Sequence, residues 1–192
     1  MSNDDAISKQ TSFRVTAGIF EAFFLISLGL LLSGCSTPNL NPGYQPEEHD
    51  AVIVLGLEGA SGIRILKGWN AGQIWHSTPG FRNRPKVFPD DGFIVLRLDG
   101  THGEQSYAVA TVWLTNGNMV SAQWQMSCPT FPAVAGTVTY VGNLCINANW
   151  GNVTWSNRWD PRNAKQYMEK NYPGLAPQLH FRPFESRRQG FW

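Results

Sequence analysis

Four histidines, three cysteines, eight tryptophans and one compact basic run are the groups here whose types permit chemistry or recognition. His49, His76, His102 and His180 are scattered, and none stands at the i+4 or alternating spacing by which one element offers a metal two ligands. His102 shares a Gly-containing stretch with Asp99 and Glu104, where a solvated loop is expected ahead of a metal cluster. No G-x-S-x-G, S-x-x-K or H-E-x-x-H pattern occurs, and Gly56 to Gly62 lies between two apolar runs instead of opening a helix, as a phosphate-cradling loop must. Asp90 and Asp91 precede Gly92 and read as a turn. An enzyme is therefore not expected; the alternative is a glycan hydrolase whose carboxylate pair assembles only on folding.

Tryptophan offers more. Trp150, Trp155 and Trp159 fall in a Gly/Asn-rich segment, where flat rings could stack on sugar rings or a partner protein, or else cap an open end of the fold. Trp69 and Trp75 flank a Gly-containing turn and invite the same two readings. Arg82, Arg84 and Lys86 form a basic loop able to meet phosphates by charge-assisted hydrogen bonds, or simply to be solvated.

Positioning these groups falls to strands. Short β-branched or aromatic runs recur between Gly, Asn and Asp from residue 50 onward, which predicts a mainly β domain. Residues 51–57 are continuously apolar apart from Gly56 and suit a strand buried on both faces. A type I′ turn at Asn116-Gly117 would place Trp113 opposite Val120, Thr111 opposite Ala122 and Val109 opposite Trp124. Asp160 as N-cap, Pro161 at the first position and Ala164, Tyr167 and Met168 on one face predict a helix over about 160–171. The expected architecture is a single antiparallel β-sandwich over 50–175 with this one C-terminal helix, followed by a basic and aromatic tail over 176–192. That tail, with Arg182, Arg187, Arg188, Phe181, Phe184, Phe191 and Trp192, could dock a partner protein.

The start of the chain reads differently. Lys9 and Arg14 lie in a polar lead, followed by an apolar core of 11 residues from Ala22 to Leu32, too short for the roughly 20 residues that cross a bilayer. This is the layout of a secretory signal. Its ending, Leu32-Ser33-Gly34-Cys35, resembles the bacterial lipobox. The resemblance implies cleavage after residue 34 and a diacylglycerol thioether plus N-acyl chain on Cys35. Three acyl chains give stable anchoring. Ser36 in place of Asp at the second mature position implies the outer membrane, with the domain facing the periplasm. Residues 36–49 contain three prolines and almost no apolar side chains and read as a tether of about 45–50 Å at full extension.

Removing the first 34 of the 192 residues leaves 158, enough for one domain with a core. Its charges are spread and nearly balanced, so nucleic acid is not an expected partner. In an oxidising compartment Cys128 and Cys145 are expected to form a disulfide, the alternative being two buried thiols. No other cofactor is expected.

The stretch Gly136-Thr-Val-Thr-Tyr-Val-Gly142, followed by Asp160 and a helix ending in Asn-Tyr-Pro-Gly, resembles a pattern in uncharacterised bacterial outer-membrane lipoproteins. There a strand of this form closes a small transthyretin-like or Ig-like β-sandwich. The resemblance implies fold and location, and supplies no catalytic residue. The function implied is non-enzymatic binding or envelope structure, the alternative being an envelope-glycan binder or hydrolase using the Trp-rich segment.

Overall fold

The apolar run that needs burial on both faces forms β2 (Asp50–Glu58), and residues 51–57 are indeed buried throughout. The computed structural model describes residues 36–37, 39–79, 86–121, 127–149 and 152–190. The chain divides into two units, Met1–Ser36 and Thr37–Trp192, and the second holds every element from β2 onward. The strands are β1 (Ser36–Thr37), β2, β3 (Ala60–Ala71), β4 (Ile74–Ser77), β5 (Lys86–Val87), β6 (Phe93–Asp99), β7 (Gln105–Leu114), β8 (Met119–Ser121), β9 (Ser127–Phe131), β10 (Val138–Asn149), β11 (Asn152–Arg158), β12 (Leu179–Phe181) and β13 (Glu185–Gln189). One α-helix, α1 (Pro161–Asn171), stands among the described residues.

The expected single antiparallel sandwich is not what these strands build. β3 pairs with β4, β4 with β13, β13 with β9, β9 with β7 and β7 again with β3, so five strands close a barrel. β6, β2, β10 and β11 form a second sheet, with β12 beside the start of β10. The pairings of β10 with β2, β10 with β12 and β13 with β4 are parallel. The departure has a physical cause in β2: a strand apolar on both faces needs a layer on each side. The barrel covers one face, where Ile53, Leu55, Ile94 and Leu144 meet Ile63, Ile65, Val109 and Phe131. On the other face Val52, Val54, Val95 and Tyr140 meet Ala164, Tyr167 and Met168 of α1. The helix matches its sequence signals, with Asp160 Oδ1 accepting from the Asn163 backbone N–H at 3.2 Å.

Inside the barrel, partners in register share a face: Leu66 with Ala108, Gly68 with Ser106, Asn70 with Trp75, and Cys128 with Arg187. The buried cluster of Trp75, Ala108 and Cys128, backed by Leu66, marks that face as the lumen. Gly68 is required here, since a Cβ would lie 2.6 Å from the Trp75 indole. Cys128 is thus a free thiol within the barrel, and Cys145 is free on β10 of the other sheet, half-buried beside Glu58. The expected Cys128–Cys145 disulfide is not formed, because the two strands direct these side chains into different surroundings.

The hairpin after β7 exists with a register one residue from that expected: Trp113 faces Met119, Val112 faces Val120, and Thr111 faces Ser121. A type I′ turn needs positive φ at both central residues, and here Gly117 has φ +87° while Asn116 does not have positive φ. The loop is the three-residue kind ending in an αL glycine, closed by Leu114 N–H to Asn118 O at 2.8 Å and Gly117 N–H to Leu114 O at 3.0 Å. A bulge upstream supports the shift. Ile65 pairs with Val109 but Arg64 with Thr111, leaving Ala110 as the extra residue. The alternation therefore changes phase, so Val112 joins the inter-sheet core and Trp113 turns away from it. The pairings proposed for Ala122 and Trp124 lie outside the described residues.

Both flanks of the domain are drawn into it. Leu40 N–H donates to Val95 O at 2.9 Å, Asn39 bonds Phe93 O and Val95 N, and Tyr172 hydroxyl donates to Leu40 O. The Tyr44 hydroxyl donates to Asp50, whose carboxyl is held below its usual range first by that bond. At the other end Phe184 is buried in the inter-sheet core and β13 is a stave of the barrel. The residues read as tether and tail thus supply structure.

Candidate functional site

The strand Val138-Thr-Tyr-Val puts Val138 and Tyr140 on the helix side and Val141 on the barrel side, and a bulge between Tyr140 and Gly142, which has φ +116°, shifts the alternation so that Leu144 also faces the barrel. Tyr140 is fully buried as a ring. Its hydroxyl donates to Asn143 Oδ1 at 2.7 Å and accepts from the Asp160 backbone N–H at 3.2 Å, and burial pushes its pKa up to about 12. The Asn143 side chain occupies the space where a Cβ of residue 56 would project, which is why Gly56 interrupts β2.

Two exposed rings stand on this buried one. Trp159, directly before the helix cap, lies 5.1 Å from the Tyr140 ring at an interplanar angle of 32°. Phe181 is the register partner of Tyr140 on β12 and meets it edge-on at 6.2 Å. Trp159 and Phe181 are 6.5 Å apart at 80°, and remain 43% and 44% exposed. The result is an L-shaped apolar face set on a rigid base, suited to the flat side of a sugar or a partner's side chain. The adjacent carboxylate, Asp160, is committed to capping α1.

The sequence candidates separate on this geometry. Trp155 is a fastener: its Nε1 donates to Ser127 O at 2.6 Å and its ring meets Phe184 edge-on at 5.8 Å, tying β11 to the barrel. The apolar cavity it walls with Val109, Leu144 and Ile146, about 40 Å³, is too small for a sugar ring. Trp150, Arg82, Arg84 and Cys35 lie outside the described residues. Trp69 stacks on His76 at 5.5 Å, and Trp75 is lumen core. Burial pushes the Cys128 thiol up to about 12, and burial followed by the Glu58 charge raises that of Cys145. Neither is an activated nucleophile. Among the described residues no three His, Cys, Asp or Glu side chains are gathered to hold a metal.

Sequence reasoning placed Phe181 in a tail and so missed it as a neighbour of Trp159. The two are brought together by a parallel pairing across some forty residues, for which there is no local signal. Comparison with protein-family models, with curated proteins and with solved structures finds no match to this chain.

Proposed function

We propose that this chain is a lipid-anchored lipoprotein of the bacterial envelope, held at the periplasmic side of the outer membrane through Cys35, and that its domain is a non-enzymatic binding module. The location rests on Leu32-Ser33-Gly34-Cys35. The binding role rests on one observation, the exposed Trp159–Phe181 face on its buried Tyr140 base. Large exposed rings held rigidly on both sides lose little conformational entropy when covered, which favours recognition. An envelope glycan is the ligand class that fits, because a pyranose has an apolar face of that size and needs no charge partner.

The test is co-sedimentation of the full chain, solubilised in detergent, with isolated peptidoglycan sacculi, beside a Trp159→Ala/Phe181→Ala variant. Salt-resistant pelleting lost in the variant supports glycan binding by this face. Equal pelleting of both proteins removes the face from the argument, and no pelleting of either directs the search to a protein partner. Incorporation of labelled palmitate, abolished by Cys35→Ala, tests the anchor separately.

A further inference from the structure

We infer a second binding site, for a saccharide carrying a phosphate group, in the open cleft between the segment after β1, the β5–β6 connection and the end of α1. The cleft encloses about 670 Å³, a size suited to a small ligand. Its walls are Asn39, Asn41, Phe88, Asp90, Asn171 and Tyr172, with prolines between them. The side chains divide by what they have already bonded. Asn39 is used on both its amide atoms, by Phe93 O and Val95 N, and Tyr172 hydroxyl is used by Leu40 O. Asn41 spends its oxygen on the Gly43 N–H and Asn171 its nitrogen on Tyr167 O. That leaves the Asn41 amide nitrogen as donor, and the Asn171 amide oxygen and Asp90 carboxylate as acceptors, without a side-chain bond within the described residues. Fixed amides and a carboxylate around an exposed aromatic ring, here Phe88 at 42% exposure, match sugar hydroxyls and one sugar face.

The phosphate preference comes from cations that do not line the cleft themselves but reach it through the Phe88 ring. Lys86 Nζ sits 4.5 Å from the Phe88 ring centroid and 5.0 Å from that of Trp113, and the Arg64 guanidinium lies 5.2 Å from the same Trp113 ring. Gly62 makes this approach possible, since a Cβ there would be 2.7 Å from Lys86 Cε. Arg97, Arg158, Lys165, Lys170 and Arg187 each have a carboxylate within 4 Å. Arg64 and Lys86, like Lys67, Arg162, Arg182 and Arg188, have none among the described residues, and Arg64 Nε is buried without a hydrogen-bond acceptor. Two such cations over aromatic rings beside a polar cleft fit an anionic group at one end of a hydroxyl-bearing ligand.

The experiment is calorimetric titration of the full chain in detergent with N-acetylglucosamine 1-phosphate, unphosphorylated N-acetylglucosamine and inorganic phosphate. The phosphosugar is expected to bind at least about tenfold more tightly than either half alone, about 1.4 kcal/mol. Lys86→Ala should lose that margin over the plain sugar, and Asp90→Asn should weaken both sugars while leaving inorganic phosphate unchanged. Trp159→Ala should leave all three titrations unaltered, which separates this site from the aromatic face. Equal affinity for phosphosugar and inorganic phosphate, loss of binding in Trp159→Ala, or no heat from any ligand up to about 10 mM would each overturn the assignment.

Discussion

Removing the last strand should unfold this domain, although the sequence alone reads it as a dispensable tail. Phe184 is 7% exposed in the inter-sheet core and carries the Trp155 ring edge-on at 5.8 Å. Its replacement by Ala should cost about 3–5 kcal/mol, the range for truncating a buried aromatic. At roughly 2–4 °C per kcal/mol for a chain of this size, Tm should fall by about 6–20 °C. Ending the chain at Phe181 also removes β13, which pairs with β9 over four residues and with β4 over two. The barrel then opens, and the fully buried Trp75 and Cys128 face water. That loss adds to the Phe184 cost against a total stability of about 5–15 kcal/mol, so the truncated chain should not hold its tertiary structure. Near-UV circular dichroism on heating, together with the rate at which Cys128 reacts with a thiol reagent, reads both steps. A truncated protein that melts within a few degrees of the parent and keeps Cys128 unreactive would refute the closed barrel as the source of stability.

The thiols give a second check. Under non-reducing conditions Cys128 and Cys145 should both alkylate after denaturation, and in the native protein Cys128 should be silent, since burial holds it protonated with a pKa of about 12; an intact Cys128–Cys145 crosslink on peptide mapping would contradict the fold as described. Asp50 gives a third. Its folded carboxyl titrates below the ordinary value of 3.8, chiefly through the Tyr44 hydroxyl, so its contribution is present above the unfolded pKa and lost as pH falls through the lower folded one. Denaturant melts should show stability dropping below about pH 4, with a shallower drop in Tyr44→Phe; identical profiles would remove Tyr44 from the account.

Local signals were legible wherever local chemistry decides the outcome. Asp160, Pro161 and the Ala164, Tyr167, Met168 stripe specify α1, and the apolar run of β2 specifies burial on both faces. Non-local closure was not legible. β13 reads Glu-Ser-Arg-Arg-Gln, with no apolar alternation, because its place in the ring rests on backbone pairing with strands that arise more than fifty residues earlier. The bulge at Ala110 leaves no mark in a run of strand formers, yet it reverses which residues of β7 face the core, and with them the expected role of Trp113. Tryptophan count raised the question of binding, but only partners separate Trp155, which is tied to Ser127 O, from Trp159, which is open beside Phe181.

The seating of residues 39–44 changes what an anchor at Cys35 would do. A free tether from Cys35 to Asp50 would let the domain stand about 45–50 Å from the lipid. With Asn39 and Leu40 bonded to β6, and Tyr44 to Asp50, the chain is seated on the domain from Asn39 onward, and Asn39 is four residue steps from Cys35, at most about 14 Å of chain. An anchor at Cys35 would then confine the domain close to the headgroups. Neutron reflectometry of the acylated protein on a supported bilayer measures this directly. A protein layer beginning within about 15 Å of the headgroups is expected. A solvent gap of roughly 40 Å would mean that residues 39–44 release from the fold. In that event Asn39→Ala, which removes two of the seating bonds, should leave both the gap and Tm unchanged; a fall in Tm would return the segment to the domain.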